Sequence, residues 1–162
     1  MRRRTIFLTG LAVVVPAGAA SAAPVLRVEA GGDQVRATPG VACVQIAGKD
    51  GGPRGRCSGR RYPLHTRGRV ALRGGERVQL RFSRPPGVVK WRLLRSASSH
   101  PRTVLAGQAH RSPAGRGRFA FTLPRRVPCA AVLDVYATYG AGSGKRDHVW
   151  WAGVRTPACK GA

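Results

Sequence analysis

The sequence predicts an all-β domain, an antiparallel sandwich of about eight or nine short strands, and three observations carry that prediction. Short runs of alternating apolar and polar residues recur along the chain, separated at intervals of roughly 8 to 12 residues by clusters of Gly, Pro, Ser and Asp. No stretch repeats its apolar residues at the helical period, so no helix is expected. All four cysteines, Cys43, Cys57, Cys129 and Cys159, lie beyond an N-terminal export signal, where an even count argues for disulfides.

That signal occupies residues 1–22. Arg2, Arg3 and Arg4 form a basic start, residues 6–15 an apolar run, and Ala20-Ser21-Ala22 a small-residue cleavage site, the pattern of a cleaved secretory signal peptide. The run is too short to span a bilayer, which takes roughly 20 apolar residues. Arg3-Arg4 followed by Thr5-Ile6-Phe7 also fits a twin-arginine signal, so the export route stays open. Cleavage leaves residues 23–162 as a single domain, with a secreted or cell-envelope location expected.

Within that domain, residues 23–29 (APVLRVE) read as a first strand and 30–33 as a turn. Residues 41–46 (VACVQI) read as a second strand, followed by a loose loop at 48–55 that a Cys43–Cys57 bridge would close. Arg69 to Arg73 and Arg77 to Phe82 form the clearest hairpin, turning at Gly74-Gly75-Glu76. Its alternation sends Val70, Leu72, Val78, Leu80 and Phe82 inward, and places Arg73 opposite Arg77 and Arg69 opposite Arg81 on the outer face. Residues 88–94 (VVKWRLL) follow, with Trp91 inside and Lys90 and Arg92 outside; 103–106 and 117–123 (GRFAFTL) complete the middle of the chain.

The best-marked element is the end, 129–159, a long hairpin with a cysteine at each foot. Residues 131–139 (AVLDVYATY) and 148–155 (HVWWAGVR) flank a glycine-rich turn at 140–145. Setting Cys129 opposite Cys159 puts Asp134, Tyr136, Thr138, His148 and Trp150 on the outer face, where Tyr136, His148 and Trp150 would form an aromatic recognition patch. A register slip of one would exchange the two faces. The FTLP strand, the VLDVYATYG strand and the closing WWAGV strand resemble the last strands of bacterial immunoglobulin-like domains of exported proteins, over roughly residues 69–157. The resemblance implies an antiparallel immunoglobulin-like β-sandwich with two disulfide-stapled hairpins, a fold that serves many functions.

Chemistry is sparse. Gly144-Lys145 does not complete a phosphate loop, because Tyr139 and Arg146 stand where glycine and Ser or Thr are required. His65, His100, His110 and His148 are too scattered to pair as metal ligands, and the domain has no methionine for a blue-copper site, so no metal or cofactor is expected. Six acids, Glu29, Asp33, Asp50, Glu76, Asp134 and Asp147, offer no dyad within the hairpin, so the chain reads as no enzyme, a hydrolase of unrecognised type being the remaining catalytic alternative.

Charge is the strongest functional signal. The chain carries 29 Lys and Arg against 6 Asp and Glu, a net +23. Such a balance points to polyanions, an acidic polymer of the cell envelope or extracellular nucleic acid, although an Arg-rich codon supply would also raise it. The expected contact residues are Arg69, Arg73, Arg77, Arg81, Lys90 and Arg92. The alternative is a sugar- or protein-recognition module using the Tyr136, His148 and Trp150 patch.

Overall fold

The computed structural model describes residues 23–47, 53–59, 66–98, 100–140 and 144–159. The expected leader at 1–22, most of the loop at 48–55, His65 and the tip of the glycine turn lie outside the described residues. Those described are all-β, with eleven strands, no α-helix and a short 3-10 turn at Pro157–Cys159. No helix among them is long and apolar enough to cross a membrane.

Ten strands hydrogen-bond side by side, each antiparallel to its neighbours. The first half of this path runs β2 (Asp33–Arg36), β1 (Leu26–Ala30), β6 (Arg77–Phe82), β9 (Arg118–Thr122) and β8 (Thr103–Arg111). It continues through β7 (Val88–Leu94), β10 (Val132–Tyr139), β11 (Arg146–Arg155), β3 (Thr38–Ala47) and β4 (Pro53–Gly59). The short β5 (Arg69–Ala71) pairs in parallel with the end of β11, beyond the point where β3 leaves it.

The path folds over at β8, which pairs with β7 along most of its length and with β9 only through His110 and Arg111. Ring contacts prove the closure. Trp91 on β7 stacks on Phe121 of β9 with centroids 4.1 Å apart, and Phe82 on β6 meets Trp150 on β11 at 5.6 Å. Between the halves lies one core in which Leu26, Val28, Val78, Leu80, Val89, Leu93 and Leu133 are fully buried. Aliphatic and aromatic residues at alternate positions therefore dictate the inner face of each strand.

Alternation also explains where the sequence reading stood and where it fell. The predicted inward set Val70, Leu72, Val78, Leu80 and Phe82 is buried. Yet β5 and β6 form no hairpin: β5 joins β11, while β6 lies between β1 and β9. At the Gly74-Gly75 corner the Gly75 N–H donates to the Pro124 carbonyl at 3.1 Å, and the chain passes from one half to the other instead of turning back on itself. Strand β2 was not foreseen. It follows a two-residue turn at Gly31-Gly32, both at positive φ (58° and 83°), the backbone that glycine adopts freely and that matches hairpin twist. The loop expected before Cys57 is instead strand β4 from Pro53 onward.

Both disulfides join the expected partners. Cys43–Cys57 links directly opposed residues of β3 and β4, and Cys129–Cys159 ties the feet of the β10–β11 hairpin. That hairpin nonetheless runs in a different register, with Asp134 opposite Trp151, Tyr136 opposite Val149 and Thr138 opposite Asp147. The reason is the 3-10 turn: after Arg155 the chain leaves the ladder, and the Cys159 N–H donates back to the Thr156 carbonyl at 3.0 Å, so the cysteine curls round to reach Cys129. The displacement is odd, and an odd displacement exchanges the faces of β11.

Candidate functional site

The outer face of the β2–β1–β6–β9 half is built by the same alternation that fills the core. In β1, Leu26 and Val28 point in and Arg27 and Glu29 point out; in β6, Leu80 and Phe82 point in and Gln79 and Arg81 point out. In β2, Val35 turns toward the core and Arg36 away. Phe119 of β9 is buried beside an outward Arg118. Register then decides which outward residues meet. Arg27 lies directly opposite Arg36 on one side and Arg81 on the other, and Arg81 lies opposite Arg118. The result is an unbroken row, Arg36–Arg27–Arg81–Arg118, across four adjacent strands. At the usual spacing between strands the row is roughly 14 Å long.

Close approach of β6 and β9 at the Arg118 end requires glycine. Gly117, at φ 77°, accepts the Phe82 N–H at 2.9 Å, and a β-carbon there would stand 2.6 Å from the Phe82 carbonyl oxygen. A depression of about 460 Å³ opens among Arg27, Arg36, Arg81 and Ser83. A second, of about 680 Å³, is lined by Arg118, Arg111, Arg116 and Pro85-Pro86. Arg111 lies over the Phe119 ring, 5.9 Å from its centroid, which holds its guanidinium at that rim.

Among the described residues one acid answers this row. Glu29 accepts from Arg81 Nη1 at 2.8 Å and from the Gln34 amide. The other described acids are engaged elsewhere: Asp33 receives the Ala71 N–H at 3.4 Å and Glu76 the Arg73 N–H at 2.9 Å. Asp134 and Asp147 lie in the other half of the fold. Like charges directly across strands repel, so a row of four with a single counter-charge is a surface that gains when an anion lies along it.

The residues singled out from the sequence are dispersed. Arg81 belongs to the row, and Arg77 shares its face farther along β6, opposite Thr122. Arg69 opens β5 and Arg73 follows it, at the edge of the other half, and Arg69 faces Gly153 rather than Arg81. Lys90 and Arg92 point out from the opposite side of the molecule, where Arg92 is spent on Asp134. Asp134 is buried, and burial raises its carboxyl above the usual range against the opposing pull of Arg92 and Trp151.

The aromatic patch is not assembled. Trp150 is 2% exposed, its indole N–H donating to the Pro24 carbonyl at 3.2 Å, and His148 stacks on it with centroids 5.5 Å apart. Both stand on the inner face, while half-buried Tyr136 stands on the outer one beside Lys90. It is Trp151 that turns outward, into a small cluster with Leu94 and Val132 that leaves it 4% exposed. Burial, with Arg146 and Arg84 nearby, lowers the His148 imidazole below its ordinary value, with Asp147 opposing. No group of three or more His, Cys, Asp or Glu among the described residues could hold a metal ion.

Three members of the arginine row went unnoticed in the sequence. Arg27 and Arg36 meet across a hairpin that was not foreseen, and Arg118 comes from a strand far along the chain, so only register reveals that the three join Arg81. The local signal was present at each: a lone arginine before an inward residue, as in Arg27-Val28, Arg81-Phe82 and Arg118-Phe119. Comparison with known proteins matches the chain to no family model, no curated protein and no solved structure.

Proposed function

We propose that this chain is an exported, non-enzymatic binding module of immunoglobulin-like sandwich type that lies against an anionic polymer along the arginine row. The carrying observation is the direct cross-strand opposition of Arg36, Arg27, Arg81 and Arg118 with one glutamate to balance them among the described residues. The leader-like N-terminus and the two disulfides support action outside the cytoplasm, secreted or at the cell envelope. Two antiparallel halves packed over one core support the sandwich reading. The polymer is an acidic envelope polymer or extracellular nucleic acid, since the row offers guanidinium groups to any chain of phosphates or carboxylates.

The test is binding across a salt series. With single-stranded oligothymidylate as probe, four neutralised phosphates give a log–log slope of about −2.8, an affinity loss of about 50-fold between 50 and 200 mM salt. Arg27→Ser/Arg36→Ser halves the slope to about −1.4 and the loss to about sevenfold. Arg95→Ser/Arg102→Ser removes the same two charges from exposed positions away from the row, and keeps most of the slope. Equal behaviour of the two double variants, or equal binding to neutral dextran, refutes the assignment and reduces the charge to composition.

A further inference from the structure

Arg69 and Arg73, which the row leaves out, meet again at a separate cavity. It measures about 510 Å³ and opens where β5 joins the end of β11. Arg69, Arg73 and Arg155, all exposed, line it, and no acidic side chain among the described residues does. Its apolar lining is exposed Pro157 and half-buried Ala71 and Ala131, set over the buried Leu72, Val154 and Ala130. The size lies within the range typical of small-molecule sites, and three cations over an apolar floor is the lining such a site shows when its ligand is an amphiphilic anion.

The walls are fixed by bonds that do not involve the guanidinium groups. The Leu72 N–H donates to the Arg155 carbonyl at 2.8 Å, and the Val154 N–H to the Ala131 carbonyl at 3.0 Å. The Ala130 N–H donates to Thr156 Oγ1 at 3.2 Å, and Cys129–Cys159 closes the far side covalently. The floor is thus preorganised, and binding costs little ordering of the protein beyond the arginine side chains.

We propose that this cavity binds a small organic anion, an oxyanion head group on a short apolar body. The head lies among Arg69, Arg73 and Arg155, whose planar guanidinium groups suit carboxylate and phosphate oxygens. The body covers Ala71, Ala131 and Pro157, the apolar lining still open to water above Leu72 and Val154, and removes it from water. This ligand differs from the polymer of the arginine row in size and in its need for an apolar part.

The experiment titrates the protein with hexanoate, hexyl phosphate, hexanol and acetate while methyl NMR follows Leu72 and Val154. Saturable shifts at these methyls are expected with hexanoate or hexyl phosphate, at least about tenfold tighter than with hexanol or acetate, because a charged head adds a charge-assisted bond and the body adds buried area. Arg69→Gln/Arg155→Gln lowers hexanoate affinity about tenfold or more and leaves hexanol unchanged, with the methyls of Val28 and Leu80 reporting an intact core. Arg27→Ser/Arg36→Ser leaves hexanoate binding intact, which separates this site from the row. Hexanol matching hexanoate, shifts confined to the row, or no saturable shift at Leu72 and Val154 overturns the proposal, and the hexanol comparison on the unaltered protein does so even if the double variant fails to fold.

Discussion

If the arginine row is kept for a ligand, it costs stability when the ligand is absent. Arg27 stands between Arg36 and Arg81, so Arg27→Gln removes two of the three like-charge contacts in the row and keeps much of the side-chain stem. A directly opposed like-charge pair costs roughly 0.2–1 kcal/mol, so the variant gains about 0.4–2 kcal/mol at low salt. For a domain of this size that corresponds to a rise in Tm of about 1–8 °C, read by calorimetry or near-UV circular dichroism. At 1 M salt, where the Debye length is about 3 Å, the two proteins converge. A polyanion at about 100 times its Kd stabilises the unaltered protein by about 2.7 kcal/mol. If Arg27 supplies one charged hydrogen bond of about 1.5 kcal/mol, the variant gains only about 1.3 kcal/mol at the same concentration, and its advantage shrinks by about 1.4 kcal/mol. An Arg27→Gln variant less stable than its parent at low salt would refute the repulsion. A margin that polyanion leaves untouched would refute the binding.

Three further outcomes follow from the packing. Trp150→Ala, emptying a site that is 2% exposed, costs about 3–5 kcal/mol in urea unfolding; a change within about 0.5 kcal/mol would return Trp150 to the surface and restore the alternative register. Replacing Cys43 and Cys57 by alanine removes a link of sequence separation 14 and costs about 3 kcal/mol by loop entropy, whereas Cys129 and Cys159, at separation 30, cost about 3.7 kcal/mol; a reversed order in guanidinium unfolding would show that strain or residual structure dominates. His148, depressed below its ordinary value of 6.5 by burial, makes the fold weaker in acid: as pH falls through 6.5 the unfolded chain takes up the proton first, and stability declines until the folded imidazole also charges. His148→Phe flattens the Tm profile between about pH 7.5 and 5; an unchanged profile would place the acid sensitivity elsewhere.

The sequence showed which residues face inward almost wherever strands were expected, because alternation is a local property. Val78, Leu80, Phe82 and Trp91 all lie where it put them. It also favoured the disulfide pairing that the structure shows, since each pair brackets its own turn. What it hid was every relation set by a distant strand. The run from Arg69 to Phe82 looked like a hairpin because nothing within it shows that β6 prefers β1, which precedes it by a whole unit of the fold. The register of β10 and β11 was hidden by three residues of 3-10 turn before Cys159, enough to send Trp150 inside and Trp151 out. The arginine row combines these failures, since only Arg27 and Arg36 are joined by a local turn, and Arg81 and Arg118 reach them through two further registers set by distant strands.

The same non-local wiring governs how the protein reaches this state. Trp150 bonds to Pro24 across 126 residues and Arg81 to Glu29 across 52, so most of the core forms only after long loops close. Folds of this kind reach the native state in milliseconds to seconds, whereas a hairpin closes in about 1–10 μs. Each cysteine pair lies within one hairpin, β3–β4 or β10–β11 with its flanking turn. The thiols of a pair are therefore brought together on the fast timescale, before the slow assembly that would let Cys43 or Cys57 meet Cys129 or Cys159. A reduced chain entering an oxidising space is guided by its own kinetics toward the native pairing, and trapping of free thiols during refolding reads that order directly.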